Sequence, residues 1–218
     1  MLSERERDAL TELGNIGAGN ATTALSQMLG DRLVRMSSPA VAVVALQEVS
    51  EWVGPPGAPV VAAYVRVSGG LEGYVALLLE ESSALAILHT LLDHGIRGDE
   101  GGLAAGPTPL SERSVSDLEA SALMEIGNIV ITSYLNALSE MTGLALVPSV
   151  PSVAADMLEA VLSSILAEIG AGDPGVLAIR TRLESEGATV DGQLLFVPAE
   201  GQLARLLQAL GMTGEEPA

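Results

Sequence analysis

The spacing of apolar and polar residues predicts the same series of elements twice along the chain: a long helix, a strand, a hairpin and a second helix. After the first long helix, the strand-like and helical stretches read RLVRMSSPAVAVV, VVAAYVRVSG, LEGYVALLLE and ESSALAILHTLLDHG. After the second, the corresponding stretches read LALVPSVPS, VLAIRTRLES, TVDGQLLFVPA and EGQLARLLQALG. The second half adds one amphipathic helix, DMLEAVLSSILAEIG, where the first half has only the short LQEVSEWVG.

The two long helices are near-copies of one another. Ala9–Gly30 and Ala122–Gly143 align without a gap and are identical at half of their aligned positions. Agreement of this kind over an ungapped window indicates an internal duplication. Among the shared residues are a glutamate and an asparagine, which form the spacing Glu-x-x-Asn in both copies.

The duplication predicts the domain organisation. Each half contains too few strands for a sheet of its own, so we expect an α/β (α+β) fold in which both halves share one sheet. The result is a single domain with pseudo-two-fold symmetry. The predicted boundaries within 1–218 are a first half at 1–97, a linker at 98–115, a second half at 116–211 and a disordered tail at 212–218.

Both long helices carry a start signal and two distinct faces. Ser3 with Glu6, and Ser116 with Glu119, have the spacing of a capping box. At 100° per residue, the apolar stripes comprise Leu10, Gly17, Ala21, Ala24 and Met28 in the first helix, and Leu123, Val130, Tyr134, Ala137 and Met141 in the second. The opposite faces comprise Asp8, Glu12, Asn15 and Gly19, and Ser121, Glu125, Asn128 and Thr132. These polar faces are expected to point to solvent.

The composition of the chain excludes several kinds of functional site. The chain has no Cys and no Lys, which excludes disulfides, thiolate nucleophiles, a P-loop lysine and a Schiff-base lysine. The net charge of −18 would repel nucleic acid. This acidity either keeps an apolar protein in solution or steers a basic partner surface toward it. The charged start MLSERERD and the lack of a long apolar run predict a cytoplasmic protein without membrane insertion.

Two other kinds of site are not supported by the pattern. GNIGAGN resembles a phosphate-binding glycine loop, but no strand precedes it and the third glycine is missing. Its glycines instead predict a close approach by another backbone or by a docked partner. His89 and His94 are five residues apart, so they do not share a helix face and do not form a two-histidine metal site.

The paired Glu and Asn suggest a reaction in which the protein mainly positions the reacting groups. Their i, i+3 spacing places both side chains on one helix face. They could be inherited without selection, although neighbouring positions in the two copies have diverged. A carboxamide both donates and accepts hydrogen bonds, so it can hold a water in line with a phosphoryl group, while a carboxylate can pair with a partner's cation. This combination suits hydrolysis of an already activated phosphoryl group such as an aspartyl phosphate.

These helices resemble those of the CheC family of chemotaxis phosphatases, which is related to CheX and to the flagellar-switch phosphatases such as FliY. The family signature is Asp or Ser, then Glu one turn later, then Asn at Glu-x-x-Asn spacing, and a Pro in the segment that follows the helix. Asp8, Glu12 and Asn15 match it in the first copy, and Ser121, Glu125 and Asn128 match it in the second. The prolines are Pro39 and Pro151, and the first copy is longer than the second by a single position between Asn and Pro, which indicates an insertion in the turn.

The resemblance implies an enzyme that dephosphorylates the response regulator CheY. Glu12 or Glu125 would pair with the regulator's active-site lysine, and Asn15 or Asn128 would orient the attacking water. Asp8, Gly19, Ser121 and Thr132 would contribute to partner binding. The Mg²⁺ would belong to the regulator, with no metal or cofactor held by this chain. The receptor deamidase CheD is a further implied partner, and a monomer is expected because duplication makes dimerisation unnecessary.

Two alternatives remain open from the sequence. A non-catalytic binding module would sequester phosphorylated CheY or regulate CheD without turnover. A component of the flagellar switch would carry an additional C-terminal β-rich domain, whereas only a short helix and an acidic tail follow the last predicted strand of this chain. Replacing both asparagines separates a phosphatase, which loses turnover, from a binder, which loses little.

Overall fold

The computed structural model describes residues 4–28, 34–37, 39–45, 48–55, 57–95, 110, 115–169, 175–185 and 188–211. The elements of the first half are α1 (Glu4–Met28), β1 (Arg35–Met36), β2 (Ala40–Ala45), α2 (Val49–Val53), β3 (Pro59–Gly69), β4 (Gly73–Glu80) and α3 (Glu81–Gly95). Those of the second half are α4 (Asp117–Thr142), β5 (Leu146–Pro148), β6 (Ser152–Met157), α5 (Leu158–Ile169), β7 (Gly175–Ser185), β8 (Ala188–Pro198) and α6 (Gln202–Ala209). The same order of elements occurs in each half.

One eight-stranded sheet contains strands from both halves, as the sequence predicts. Its path is β1-β7-β8-β4-β3-β5, with β2 also pairing with β7 and β6 also pairing with β3. The central pair joins β4 of one half to β8 of the other, in the register Ala76↔Leu195. The outer strands are exchanged, because β2 of the first half pairs with β7 and β6 of the second half pairs with β3. This exchange confirms the pseudo-two-fold arrangement.

The sheet is covered by helices on both faces. One core lies between the sheet and α1, α3, α4 and α6, and the other lies between the sheet and the short helices α2 and α5. In β4, Val75, Leu77 and Leu79 belong to the first core, whereas Ala76 and Leu78 belong to the second. Burial of both faces explains why β3 and β4, and the stretches VLAI of β7 and LLFV of β8, appear in the sequence as continuous apolar runs.

The long helices α1 and α4 pack against each other through a glycine and a tyrosine. A Cβ atom at Gly17 would overlap the ring of Tyr134, so the ring occupies the space that a side chain would otherwise need. Tyr134 is 3% exposed and belongs to the first core. The sequence places both residues on the apolar stripes of their helices, and the structure confirms this.

The helix start predicted at Ser116 is confirmed. The Ser116 Oγ accepts from the backbone N–H of Glu119 at 3.3 Å, and the Glu119 carboxylate accepts from the backbone N–H of Ser116 at 2.9 Å. At the other end of α4, Gly143 adopts a left-handed conformation with φ 70°, and its N–H donates to the carbonyl of Ser139. The corresponding start signal of α1 includes Ser3, which lies outside the described residues.

Two boundaries differ from the sequence expectation. Asp156 and Met157, predicted to begin a helix, form the end of β6, where they pair with Val60 and Pro59 of β3. Leu110 lies in the predicted linker, yet it is 1% exposed and belongs to the first core. The rest of that linker up to residue 114, and the predicted tail at 212–218, lie outside the described residues. Among the described helices, none is long and apolar enough to cross a membrane.

Burial of Tyr134 predicts a loss of stability at high pH. Desolvation raises the pKa of its hydroxyl from 10.0 to about 12, and the nearby Thr181 hydroxyl has a smaller opposing effect. The folded state therefore retains a proton that the unfolded state releases, and stability is unaffected below pH 10 but falls as the pH rises toward 12. The full loss is about 3 kcal/mol. Denaturant unfolding from pH 8 to pH 11 should show this decline in the wild type and a smaller one in Tyr134→Phe; equal declines would contradict it.

Candidate functional site

Both Glu-x-x-Asn pairs lie on the outward side of their helices. Glu12 and Asn15 are exposed on α1, and Glu125 and Asn128 are exposed on α4. The residues beside them in sequence point inward, because Leu13 and Gly14, and likewise Ile126 and Gly127, are buried. The polar faces therefore point to solvent, as predicted from the helical period.

A glycine in front of each asparagine brings the helix close to the sheet. A Cβ atom at Gly14 would lie 2.8 Å from Pro39 Cγ and 2.8 Å from Val41 Cγ2. A Cβ atom at the equivalent Gly127 would overlap the Cβ atom of Ala63 on β3. Any larger residue would push its helix outward and displace the neighbouring asparagine. The sequence shows that this glycine is shared, but only the structure shows what it packs against.

The glycines of GNIGAGN behave differently from one another. The sequence predicts approach by another backbone or a docked partner, whereas at Gly14 and Gly17 the space is occupied by side chains of the sheet region and of α4. Gly19 is exposed, and a Cβ atom there would meet nothing within 4 Å. Gly19 therefore lies on an open surface, beside Asn15 and one turn after it.

The two signature prolines occupy equivalent places. Pro39 directly precedes β2 and is buried against Gly14. Pro151 directly precedes β6, which pairs with the same strand that carries Ala63. The extra residue of the first copy therefore falls between the end of α1 and Pro39, as an insertion in the turn requires.

The four residues predicted to bind a partner lie on the same outward faces. Asp8, Gly19 and Ser121 are exposed, and Thr132 is half-buried. The Ser121 hydroxyl donates to the carbonyl of Asp117 at 2.8 Å. The Thr132 hydroxyl instead donates to Oδ1 of Asn128 at 3.4 Å, a contact that the sequence analysis did not anticipate.

The carboxylates of the two sites are available to a partner. Within the described part of the chain, neither Glu12 nor Glu125 takes part in an ion pair or a side-chain hydrogen bond. His89 is exposed on α3, and the side chain of His94 lies outside the described residues. A search of the described residues finds no group of three His, Cys, Asp or Glu side chains placed to hold a metal ion.

Two exposed valines lie in β5 and in the segment between β5 and β6. Gly127 packs on Ala63, whose register partner on β6 is Val153, so the start of β6 lies beside this part of α4. Two residues in the chain segment leading to β6, Val147 and Val150, are 58% and 84% exposed. Exposed apolar side chains of this kind can contact another protein. Their exposure could not be inferred from the sequence, where they read as strand residues.

Comparison with known sequences gives a family model that matches both long helices, and two similar curated proteins. The sequence model of the CheC-like family matches residues 6–43 and 118–155, which contain both Glu-x-x-Asn pairs. The CheY-P phosphatase CheC of Bacillus subtilis (strain 168) is 28% identical over 212 residues, covering 96% of each chain. The flagellar motor switch phosphatase FliY of the same organism is 32% identical over 138 residues, which are 63% of this chain and 32% of that protein.

Solved structures share the architecture. The X-ray structure of Thermotoga maritima FliY superposes with a TM-score of 0.71 at 22% identity, covering 97% of this chain and 98% of that one. A CheX–CheY–BeF3–Mg²⁺ complex from Borrelia burgdorferi gives 0.51 at 14% identity, with coverages of 84% and 96%. At these identities the likeness establishes a common fold.

Proposed function

We propose that this chain, whose residues 6–43 and 118–155 match the model of the CheC-like family, hydrolyses the aspartyl phosphate of a phosphorylated CheY-type response regulator. The observation that carries the proposal is the outward presentation of a Glu-x-x-Asn pair on each of two equivalent helices. Support also comes from the relative named as a CheY-P phosphatase, which aligns over nearly the whole chain. The solved complex of a protein of this fold with CheY supports a response regulator as the partner.

In the proposed reaction, Asn15 or Asn128 orients a water molecule against the phosphorus atom. The water oxygen bonds to phosphorus, the bond from phosphorus to the aspartyl oxygen breaks, and inorganic phosphate and a free aspartate are formed. An acyl phosphate is already activated, so most of the acceleration can come from holding the water in line. The Mg²⁺ that neutralises the phosphoryl charge belongs to the regulator, and this chain supplies no cofactor.

Glu12 and Glu125 have a different proposed role. Each carboxylate pairs with the lysine beside the regulator's phosphorylated aspartate, which fixes the orientation in which the asparagine enters. An exposed ion pair contributes little, but a pair that loses solvent within an interface contributes more. The absence of competing partners within the described residues leaves both carboxylates free for this contact. Binding of CheD, which the family resemblance also implies, stays a prediction.

Replacing both glutamates should weaken binding more than it slows chemistry. In Glu12→Gln/Glu125→Gln, the charge is lost but the shape of the side chain is kept. We expect KM for the phosphorylated regulator to rise about tenfold, the change that corresponds to about 1.4 kcal/mol of binding free energy. The salt dependence of KM should become shallower, because one ion pair per site is missing. A fall in kcat at unchanged KM would contradict the assignment.

The proposed function is tested by following phosphate release from a regulator phosphorylated with a small-molecule phosphodonor. This chain is added at one-twentieth of the regulator concentration, and spontaneous hydrolysis is measured without it. A phosphatase releases many equivalents of phosphate per molecule. A binding module leaves the rate unchanged or slows it in proportion to the amount added, and that outcome would overturn the proposal.

A further inference from the structure

The two proposed sites differ in one contact. On α4, the Thr132 hydroxyl lies one turn after Asn128 and donates to its Oδ1 at 3.4 Å. On α1, the position equivalent to Thr132 is Gly19, which has no side chain and faces open space. Asn15 therefore has no hydroxyl neighbour at this position, although the Glu, Gly and Asn around it are the same in both copies.

The hydrogen bond of Thr132 departs from the usual behaviour of hydroxyls in this protein. A helical Ser or Thr commonly donates to the backbone carbonyl four residues earlier. Seven hydroxyls of the described helices do so: Thr11, Thr22, Thr23, Ser121, Ser133, Thr142 and Ser164. A hydroxyl has one proton to donate, and that of Thr132 is directed to the side chain of Asn128 instead.

This contact restricts how the carboxamide can turn. The last torsion of an asparagine side chain is broad, so an exposed asparagine samples many orientations of its amide group. Threonine is branched at Cβ and has few χ1 rotamers, which makes its hydroxyl a stable anchor. When Oδ1 accepts from Thr132, the Nδ2 group and the second lone pair of Oδ1 are left to face a partner. At 3.4 Å this hydrogen bond is long and therefore weak, so it biases the carboxamide of Asn128 toward one orientation, whereas Asn15 has no hydroxyl at the equivalent position.

We propose that Thr132 is a positioning residue for Asn128, and that it makes the second site the faster of the two. The inference rests on the proposed phosphatase function, because its consequence is the orientation of the attacking water. Thr132 does not touch the reacting atoms and acts only through Asn128. Ordering one side chain before binding corresponds to a several-fold gain in rate.

The first test removes the Thr132 hydroxyl in a protein in which only the second site can act. In an Asn15→Ala background, only Asn128 remains to act. Thr132→Val keeps the branched shape and removes the hydroxyl, and we expect kcat to fall about fivefold while KM and the thermal midpoint change little. Thr132→Ser restores the hydroxyl and should recover most of the lost kcat. A side chain that only supports the helix would change the thermal midpoint without rescue by serine.

The second test adds a hydroxyl at the equivalent position in a protein in which only the first site can act. In an Asn128→Ala background, Gly19→Thr introduces the missing hydroxyl one turn after Asn15, and the open space at Gly19 can accommodate it. We expect kcat to rise about fivefold. Gly19→Ala is the matched variant, because it stiffens the helix without adding a hydroxyl. The increase in kcat produced by Gly19→Thr must clearly exceed the increase produced by Gly19→Ala.

The outcomes separate this inference from the proposed function. Active single-site proteins whose kcat is indifferent to both Thr132→Val and Gly19→Thr would overturn the inference and leave the phosphatase intact. If wild-type protein and both single-site proteins fail to exceed spontaneous hydrolysis, both ideas fail. The side-chain amide signals of Asn128, observed by NMR, give a readout independent of turnover. They should shift and become more mobile in Thr132→Val, and unchanged signals would exclude the positioning contact.

Discussion

Replacing Asn15 and Asn128 together by alanine is expected to return hydrolysis of the phosphorylated regulator to its spontaneous rate. Each change removes the carboxamide that is proposed to hold the attacking water, and misplacement of a reacting group by about 1 Å is enough to cost roughly 100-fold in rate. Both side chains are exposed, so their loss leaves no cavity in the core. Phosphate release in multiple-turnover conditions, followed beside the regulator alone, measures the effect.

Binding and folding serve as the controls for this double variant. The glutamates remain, so affinity for a stable mimic of the phosphorylated regulator should change by less than threefold, a difference below about 0.7 kcal/mol. Each single variant should keep the activity of the other site. Retention of wild-type turnover in the folded double variant would exclude the asparagines as catalytic residues. Loss of affinity along with turnover would instead favour a purely structural role in the interface.

Gly127→Val is expected to destabilise the protein by about 3 kcal/mol, because the added side chain overlaps Ala63 of the sheet. The overlap involves a Cβ atom next to the backbone, which cannot turn aside as the end of a long side chain could. Relief requires α4 to move away from β3, so activity at the second site should fall along with stability. Denaturant unfolding gives the free energy, and an Asn15→Ala background reports turnover at this site alone.

Gly19→Val is the matched control for the change at Gly127. Both glycines lie within the long helices, but a Cβ atom at Gly19 meets nothing within 4 Å. Its replacement by valine should alter stability by less than about 0.5 kcal/mol, the difference in helix propensity between the two residues. Combining Gly127→Val with Ala63→Gly should recover part of the loss, because the opposing methyl group is removed. Equal effects at Gly127 and Gly19 would show that propensity, not packing, governs both positions.

The regular part of the fold could be predicted because the pattern repeats. Strands β3 and β4 are long apolar runs, β7 and β8 contain the shorter runs VLAI and LLFV, and two copies of the overall pattern support one interpretation. The error at Asp156 and Met157 has a physical cause. Their helix-like sequence is overridden by pairing with Val60 and Pro59, which lie in the other half of the chain, and a local pattern carries no information about such a partner.

The outward faces of the site could also be predicted, since 100° per residue is enough to place Asn15 and Asn128 opposite the apolar stripes. The side-chain contacts around these faces could not be predicted from the sequence. The overlap of Gly17 with Tyr134 joins positions that are not equivalent in the two copies, so alignment of the repeat does not reveal it. The choice of a carboxamide acceptor by the Thr132 hydroxyl depends on atomic distances, and most hydroxyls of similar sequence context choose a carbonyl.

The exchange of β2 and β6 between the halves makes each repeat dependent on the other for completion. A fragment ending before α4 would leave β3 without β6 and β4 without β8, and the unpaired backbone groups would invite aggregation or pairing with another fragment. Limited proteolysis or truncation is therefore not expected to yield a stable half that carries a single Glu-x-x-Asn pair. By the same reasoning, an ancestor encoding only one repeat would complete this sheet only as a pair of identical chains. Gene fusion would then place the contacts between those two chains within a single chain.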